Sequence, residues 1–249
     1  MEQARTTDFM TLSFRDGAPT ALRGAVAAMA RGPYAYVVTP NVDHMVRLLG
    51  GRVDQAVYRG ASLMVCDSRI LAGLARLKGK RLSVYPGSDL TADLLAAPQG
   101  LRFGLFGPDE AAAADLMARF PNVAFTFIPA PMMAPGSTEW DRAVADAAAA
   151  QWDVLLVCIS FPKQEQFAHA LKVAGRRTGV ALCVGASVDF LTGRQSRAPR
   201  VFQTLGIEWL YRLASQPRRM FRRYVIEGPA IFGWFLRLEA FEKTPARLS

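Results

Sequence analysis

From Tyr34 to Gly185, short runs rich in β-branched and aromatic residues alternate with longer stretches of helical character. No other feature narrows the possible folds as much. The strand-like runs are YAYVVT (34–39), SLMVC (62–66), RLSVY (81–85), RFGLF (102–106), VAFTFI (123–128), DVLLVCI (153–159) and GVALCVG (179–185). Several are apolar without alternation, the pattern of strands buried on both faces. Helices are predicted between them over 42–59, 68–79, 88–97, 109–120, 138–151 and 163–177. Strands separated by helices of this length form βαβ units, so the fold class is α/β with a doubly wound, mostly parallel sheet. Residues 1–30 read as a small leading hairpin or helix, and PAPMMAPG (129–136) as a long Pro/Gly loop.

After Arg197 the rhythm changes. VFQTLGIEWLYRLASQ and PRRMFRRYVIEGPAIFGWFLRLEAF read as basic, amphipathic helices, with no further strand. The expected organisation is an α/β unit over 1–197 and a helical appendage over 198–249. The 249 residues, 51% of them hydrophobic, are enough for one large core, and 20% charged residues argue against disorder. Cys66, Cys158 and Cys183 each lie in an apolar run and no pair has metal spacing, so they read as buried free thiols of a reducing compartment. MEQARTTDFM lacks the apolar stretch of a signal peptide, and no uncharged apolar run approaches the ~20 residues of a membrane span. The expectation is a cytosolic chain. The net charge is +9, and from Gln195 to Ser249 ten Lys and Arg face four acids. That imbalance calls for an anionic partner at the C-terminal end: phosphate, acidic lipid or nucleic acid.

In open α/β sheets, ligands bind beyond the carboxyl ends of the strands. Thr39 and Asn41 follow the first predicted strand, Asp67 the second, Gly107 the fourth, and Gly185 and Asp189 the last. SFPKQEQ (160–166) follows the sixth. Pro162 suits a first helical turn, which would leave Lys163, Gln164 and Glu165 with outward N–H groups, an anion or diphosphate site. Each has a plainer reading. Asp67 suits a helix N-cap, Thr39 and Asn41 suit turns, and the 163–165 turn suits a solvated helix end. His44 and His169 read as structural. No Walker motif, GxGxxG, HExxH, paired-cysteine site or DxD pair is present.

Taken in order, TPNVDHMV, GASLMVCDS, GSDL (87–90), FGLFG, WDVLLVCISFPKQEQF, VGASVDFLTG, RAP (197–199) and GIEWLYRLASQPRRMFRRY resemble the WecG/TagA/CpsF family of bacterial glycosyltransferases, glycosyltransferase family 26. The resemblance runs from about Tyr34 to Tyr224. It implies a Rossmann-like core whose helical appendage completes the site at the membrane. It also implies inverting, metal-independent transfer from a UDP-sugar to a sugar on a polyprenyl diphosphate lipid, in surface or exopolysaccharide biosynthesis, with no cofactor. Asp67 stands at the family's general-base position and Thr39 and Asn41 at its pocket polar positions. Gln164 stands on the donor side, and Arg212, Arg219 and Arg222 match phosphate-holding arginines of the appendage. Gly107, Lys163, Glu165, Gly185 and Asp189 are further donor-side candidates, and Arg197 a further phosphate or lipid contact. Family copies can also self-associate. The chain departs from the family at Ser68, where glycine is usual, and at Phe161 and Ala186, which replace glycines. It departs again at Tyr85, near a frequent arginine. These changes bear on which donor sugar is taken.

The residues themselves agree with that chemistry. An inverting transfer needs a carboxylate to accept the acceptor's proton, and arginines or N–H dipoles to meet the departing diphosphate. LYRLASQPRRMFRRYV (210–225) places five arginines among aliphatic and aromatic residues, as a membrane-surface helix would, with Phe232, Trp234 and Phe235 further along. The alternatives are a helix packed on the core with a solvated basic face, a catalytically silent membrane-associated scaffold, and a nucleic-acid-binding protein. The last lacks any HTH, RRM or zinc pattern, so no nucleic acid is expected.

Overall fold

The computed structural model describes residues 5–196, 198–199, 201–202 and 207–243. The leading segment, expected as a hairpin or a helix, contains both. Strands β1 (Arg5–Phe9) and β2 (Leu12–Asp16) form an antiparallel hairpin, and helix α1 (Pro19–Met29) follows. The hairpin turn places Met10 and Thr11 at φ 48° and 73°, the left-handed conformation that a tight two-residue hairpin demands.

The alternating region folds as β3 (Ala35–Val38), α2 (Val42–Leu49), α3 (Gln55–Arg59), β4 (Leu63–Met64), α4 (Arg69–Leu77), α5 (Gly87–Ala96) and β5 (Arg102–Phe106). It continues as α6 (Glu110–Arg119), β6 (Ala124–Ile128), α7 (Thr138–Ala149), β7 (Val154–Val157), α8 (Lys163–Val173), β8 (Val180–Cys183) and α9 (Ser187–Thr192). Among the described residues six strands make one all-parallel sheet in the order β4-β3-β8-β7-β5-β6. The fold is therefore Rossmann-like α/β.

Two expected elements differ. The stretch 42–59 is two helices, because Gly50 ends α2 and Gly51 turns the chain at φ 68°. The stretch 81–85 is not a ladder strand. Only Val84 bridges to Cys66, and Tyr85 N–H bonds the Cys66 carbonyl at 2.9 Å. Pro86 then ends the pairing, since it has no N–H to donate.

Side chains alternate between two cores, one on each face of the sheet. Tyr36, Val38, Leu155, Val157, Ala181 and Cys183 pack on one face, and Ala35, Val37, Val154, Leu156, Val180 and Leu182 on the other. The central strands are buried throughout, which is why their sequences are apolar without alternation.

Past residue 206 the described chain is helical: α10 (Glu208–Ser215), α11 (Pro217–Phe221), a wide turn of π-helix (Arg222–Glu227) and α12 (Ala230–Lys243). Helix α12 joins the first core. Ile231 and Phe235 are buried in the same cluster as Phe9 and Met45, and the Phe9 and Phe235 rings lie 6.4 Å apart. The aromatic trio expected at a membrane is thus divided. Phe235 is buried and Trp234 packs on the core, while Phe232 is exposed.

Candidate active site

The carboxyl ends of β4, β3, β8 and β7 are neighbours in the sheet, and the chain beyond each of them lines one polar cavity of about 1110 Å3. Asp67, Thr39, Gly185 and Ser160 mark its floor in that strand order. The appendage closes it from the other side through Glu208, Arg212, Arg222 and Arg223.

Thr39 is buried and donates its hydroxyl to the Cys183 carbonyl at 3.1 Å, tying β3 to β8 at the cavity edge. Asn41 is the N-cap of α2: its Oδ1 accepts from Asp43 N–H at 3.0 Å and stands 2.9 Å from His44 Nδ1. Asn41, whose plain reading was a turn residue, is thus a helix cap, and the same side chain also lines the cavity. Asp67 is not a cap. Ser68 takes that task, its hydroxyl accepting from Leu71 N–H at 3.2 Å, while Asp67 N–H bonds the Pro40 carbonyl at 3.0 Å. The Asp67 side chain is left at the cavity wall beside Arg212. Burial works against the charge of the Arg212 guanidinium. The nearby Glu208, then Tyr224 and Asp67, outweigh it and hold the pKa above its ordinary value.

The N-terminus of α8 is not the open anion site its sequence suggested. The N–H groups of Lys163 and Gln164 both bond the Ser160 carbonyl, at 2.9 and 3.3 Å. Gln164 reaches the cavity from a buried position, and its Oε1 accepts from Gly185 N–H at 2.8 Å. Glu165 is fully buried beneath it, with Oε1 2.7 Å from Gln164 Nε2 and 3.1 Å from His44 Nε2. Lys163 turns away, its Nζ donating to the Met133 carbonyl at 2.6 Å and so tying down the Pro/Gly loop. Gly107, at φ 117°, packs so closely on Cys158 that a Cβ would fall 2.6 Å from its carbonyl. Gly107, Lys163 and Glu165 thus stand behind the cavity wall, whereas Gly185 and Asp189 line it. Arg197 and the side chain of Arg219 lie outside the described residues.

Asp43, Arg47, Arg52 and Glu227 line the cavity and carried no signal in the sequence. Arg47 pairs with Asp43 at 3.0 Å, Arg223 with Asp43 at 3.3 Å, and Arg222 with Glu227 at 3.1 Å. Arg47 and Arg52 also reach Glu227, at 3.7 and 3.5 Å. Four arginines thus surround two carboxylates, an excess of positive charge at the end of the cavity suited to a diphosphate. The Asp43–Arg47 pair reads in sequence as an ordinary surface pair four residues apart on a helix. The Phe161 ring lies 4.1 Å from the His44 ring, tilted by 37°, with the Arg47 guanidinium 5.5 Å over it. Ala186 lines the cavity, whereas Tyr85 faces the core and donates to Asp93 Oδ2 at 2.6 Å. Cys158 lies at the wall, and burial pushes its thiol up to about 12, away from the reactive thiolate.

A second cavity of about 540 Å3 adjoins the first. It shares Asn41, Asp67, Arg212 and Arg223 with it, but its other walls include Trp209, Tyr224, Ile231, Phe232, Ile70 and Val84. Asp67 therefore lines both a polar, arginine-rich chamber and a more apolar one, whose aromatic and aliphatic side chains stand among Arg69, Asp89 and Glu208. Among the described residues no His, Cys, Asp or Glu side chains are grouped as a metal ion would need.

Comparison with known proteins adds two findings. A family model described as the glycosyl transferase WecG/TagA/CpsF family matches residues 8–245. A protein of Bacillus spizizenii named N-acetylglucosaminyldiphosphoundecaprenol N-acetyl-beta-D-mannosaminyltransferase is 30% identical over 193 residues, 74% of this chain and 73% of its own.

Proposed function

The chain belongs to the WecG/TagA/CpsF family of glycosyl transferases. From that membership we propose that it moves a hexosyl or N-acetylhexosaminyl residue from a UDP-sugar to a sugar carried on a polyprenyl diphosphate, with inversion and without a metal. The name of the Bacillus spizizenii relative supports the acceptor class, an undecaprenol-diphosphate-linked N-acetylglucosamine. The observation that carries the reading is the position of Asp67 between the two chambers.

The polar chamber takes the UDP-sugar and the apolar one the acceptor. Asp67 accepts the proton of the acceptor hydroxyl as that oxygen bonds the anomeric carbon. The bond from that carbon to the diphosphate oxygen breaks on the opposite face, and UDP leaves with the electron pair. Arginine supplies the compensating charge that a metal supplies elsewhere, from Arg212, Arg222 and Arg223 of the appendage with Arg47 and Arg52 of the core. Phe221, Val225, Ile226, Phe232 and Leu236 are exposed on the appendage, an apolar surface suited to the leaflet that holds the acceptor. No helix of the described residues is long and apolar enough to cross a membrane, and the proposed association is peripheral, on the inner face of the cell membrane.

The test is a transfer assay with EDTA present, a panel of UDP-sugars and a short-chain polyprenyl-diphosphate sugar, read by product mass and anomeric configuration. Wild type is expected to yield an inverted product, and Asp67→Asn about 100-fold less or below, within the range that general-base catalysis supplies. Full activity of Asp67→Asn would remove Asp67 as the base, and product only after metal addition would overturn metal independence.

A further inference from the structure

The basic surplus of this protein is not confined to its C-terminal end. From Arg69 to Arg81 the chain carries Arg69, Arg76, Lys78, Lys80 and Arg81 and no acid. The segment is α4 and the loop after it, and the structure gives it a shape. Arg69, Ile70, Gly73 and Arg76 on one face of α4 lie opposite Lys80, Arg81, Leu82 and Val84, across an open groove of about 880 Å3. Among the described residues no acidic one lines it. Arg69, Arg76 and Arg81 are exposed, and a Cβ built on Gly73 meets nothing within 4 Å.

The groove continues into the apolar chamber at Asp67. Arg69, Ile70 and Val84 line both. It also lies beside the appendage, because Lys78 Nζ sits 5.5 Å from the centre of the Phe235 ring on α12. Leu77 at the end of α4 is 77% exposed, and Phe232 and Leu236 of α12 are 51% and 61% exposed. Exposed arginines therefore stand next to bare apolar side chains: Arg76 adjoins Leu77 on α4, and Arg69 and Phe232 line the same chamber. A free nucleotide needs no apolar rim, whereas a leaflet with acidic headgroups meets both kinds of group together.

We propose that the α4 groove is a phospholipid-headgroup site, so that the protein rests on an anionic leaflet by two elements, α4 and α12, flanking the entrance to Asp67. This goes beyond the transferase reading and is tested without turnover. Arg76→Ala/Arg81→Ala is compared with wild type for partition onto phosphatidylcholine vesicles with and without phosphatidylglycerol. Each cation near an anionic surface contributes roughly a fivefold factor in partition, so the double variant should bind anionic vesicles roughly 25-fold more weakly. Arg76→Lys/Arg81→Lys should bind nearly as wild type, and the thermal midpoints of all three should agree. Undiminished anionic binding by the alanine variant would overturn the proposal. Loss of binding to a homopolymeric RNA, with vesicle binding intact, would overturn it too and give the groove to nucleic acid. An equal loss on neutral vesicles would assign the effect to folding rather than charge, and would likewise overturn it.

Discussion

Glu227 receives three arginines, Arg222 from its own turn and Arg47 and Arg52 from the core. Without a ligand it is the carboxylate that balances them; with a diphosphate bound, the phosphates offer the same arginines a stronger partner. Glu227→Gln should therefore cost about 1–2 kcal/mol in the ligand-free protein, the order of a hydrogen bond to a charged group. At this chain length that lowers Tm by about 2–4 °C per kcal/mol. UDP should then raise Tm more in the variant than in wild type, because a ligand that replaces a lost counter-charge binds the folded state more tightly. Equal UDP shifts in the two proteins would show that these arginines do not meet the nucleotide. Asp67 was legible as a site residue because it follows a strand. Arg47 and Arg52 were not, because nothing local distinguishes a cation that faces a cavity from one that faces water.

At the scale of the element, small features shape the edge of the sheet that lines the cavity. Ser68 stands where the resembling family usually has glycine, and in this chain its hydroxyl caps α4. Ser68→Ala should cost about 1 kcal/mol of stability by denaturant titration, the usual loss for a serine cap. An unchanged midpoint would mean that the α4 N-terminus is held by its packing alone. Gly104 in β5 has a different reason to be small. A Cβ there would fall 2.7 Å from Leu155 Cδ1 and 3.2 Å from Trp152, within the sheet-facing core. Gly104→Ala should cost about 1–3 kcal/mol as overpacking, and an unaltered thermal midpoint would show that Leu155 moves aside freely. The helix expected over 163–177 runs from Lys163 to Val173, and two amides of its expected anion site are already bonded. The periodicity that reveals a helix does not reveal that a preceding carbonyl, Ser160, bends back to occupy its first amides.

For the whole molecule, the appendage is bound into the fold it completes. Ile231 and Phe235 are buried in the core that holds Phe9 and Met45. Burying two such side chains contributes about 3–6 kcal/mol, a large part of the ~5–15 kcal/mol that separates folded from unfolded domains. A chain ending at Glu227 should unfold at markedly lower denaturant than the full chain, and an unchanged midpoint would show that α12 is dispensable to the core. The sequence alone determined the α/β class, the parallel sheet and the edge at which Thr39, Asn41 and Asp67 gather. Those follow from burial on two faces, which imprints itself on consecutive residues. Only the tertiary structure decided that Asp43 meets Arg223, that Glu227 meets Arg47 and Arg52, and that Lys163 leaves the cavity for the Met133 carbonyl. It alone brought Arg69 of α4 and Phe232 of α12 to one chamber, and Lys78 to the Phe235 ring. Such partnerships join residues far apart in the chain through directional charge and hydrogen-bond contacts, and these leave no period in the sequence to read.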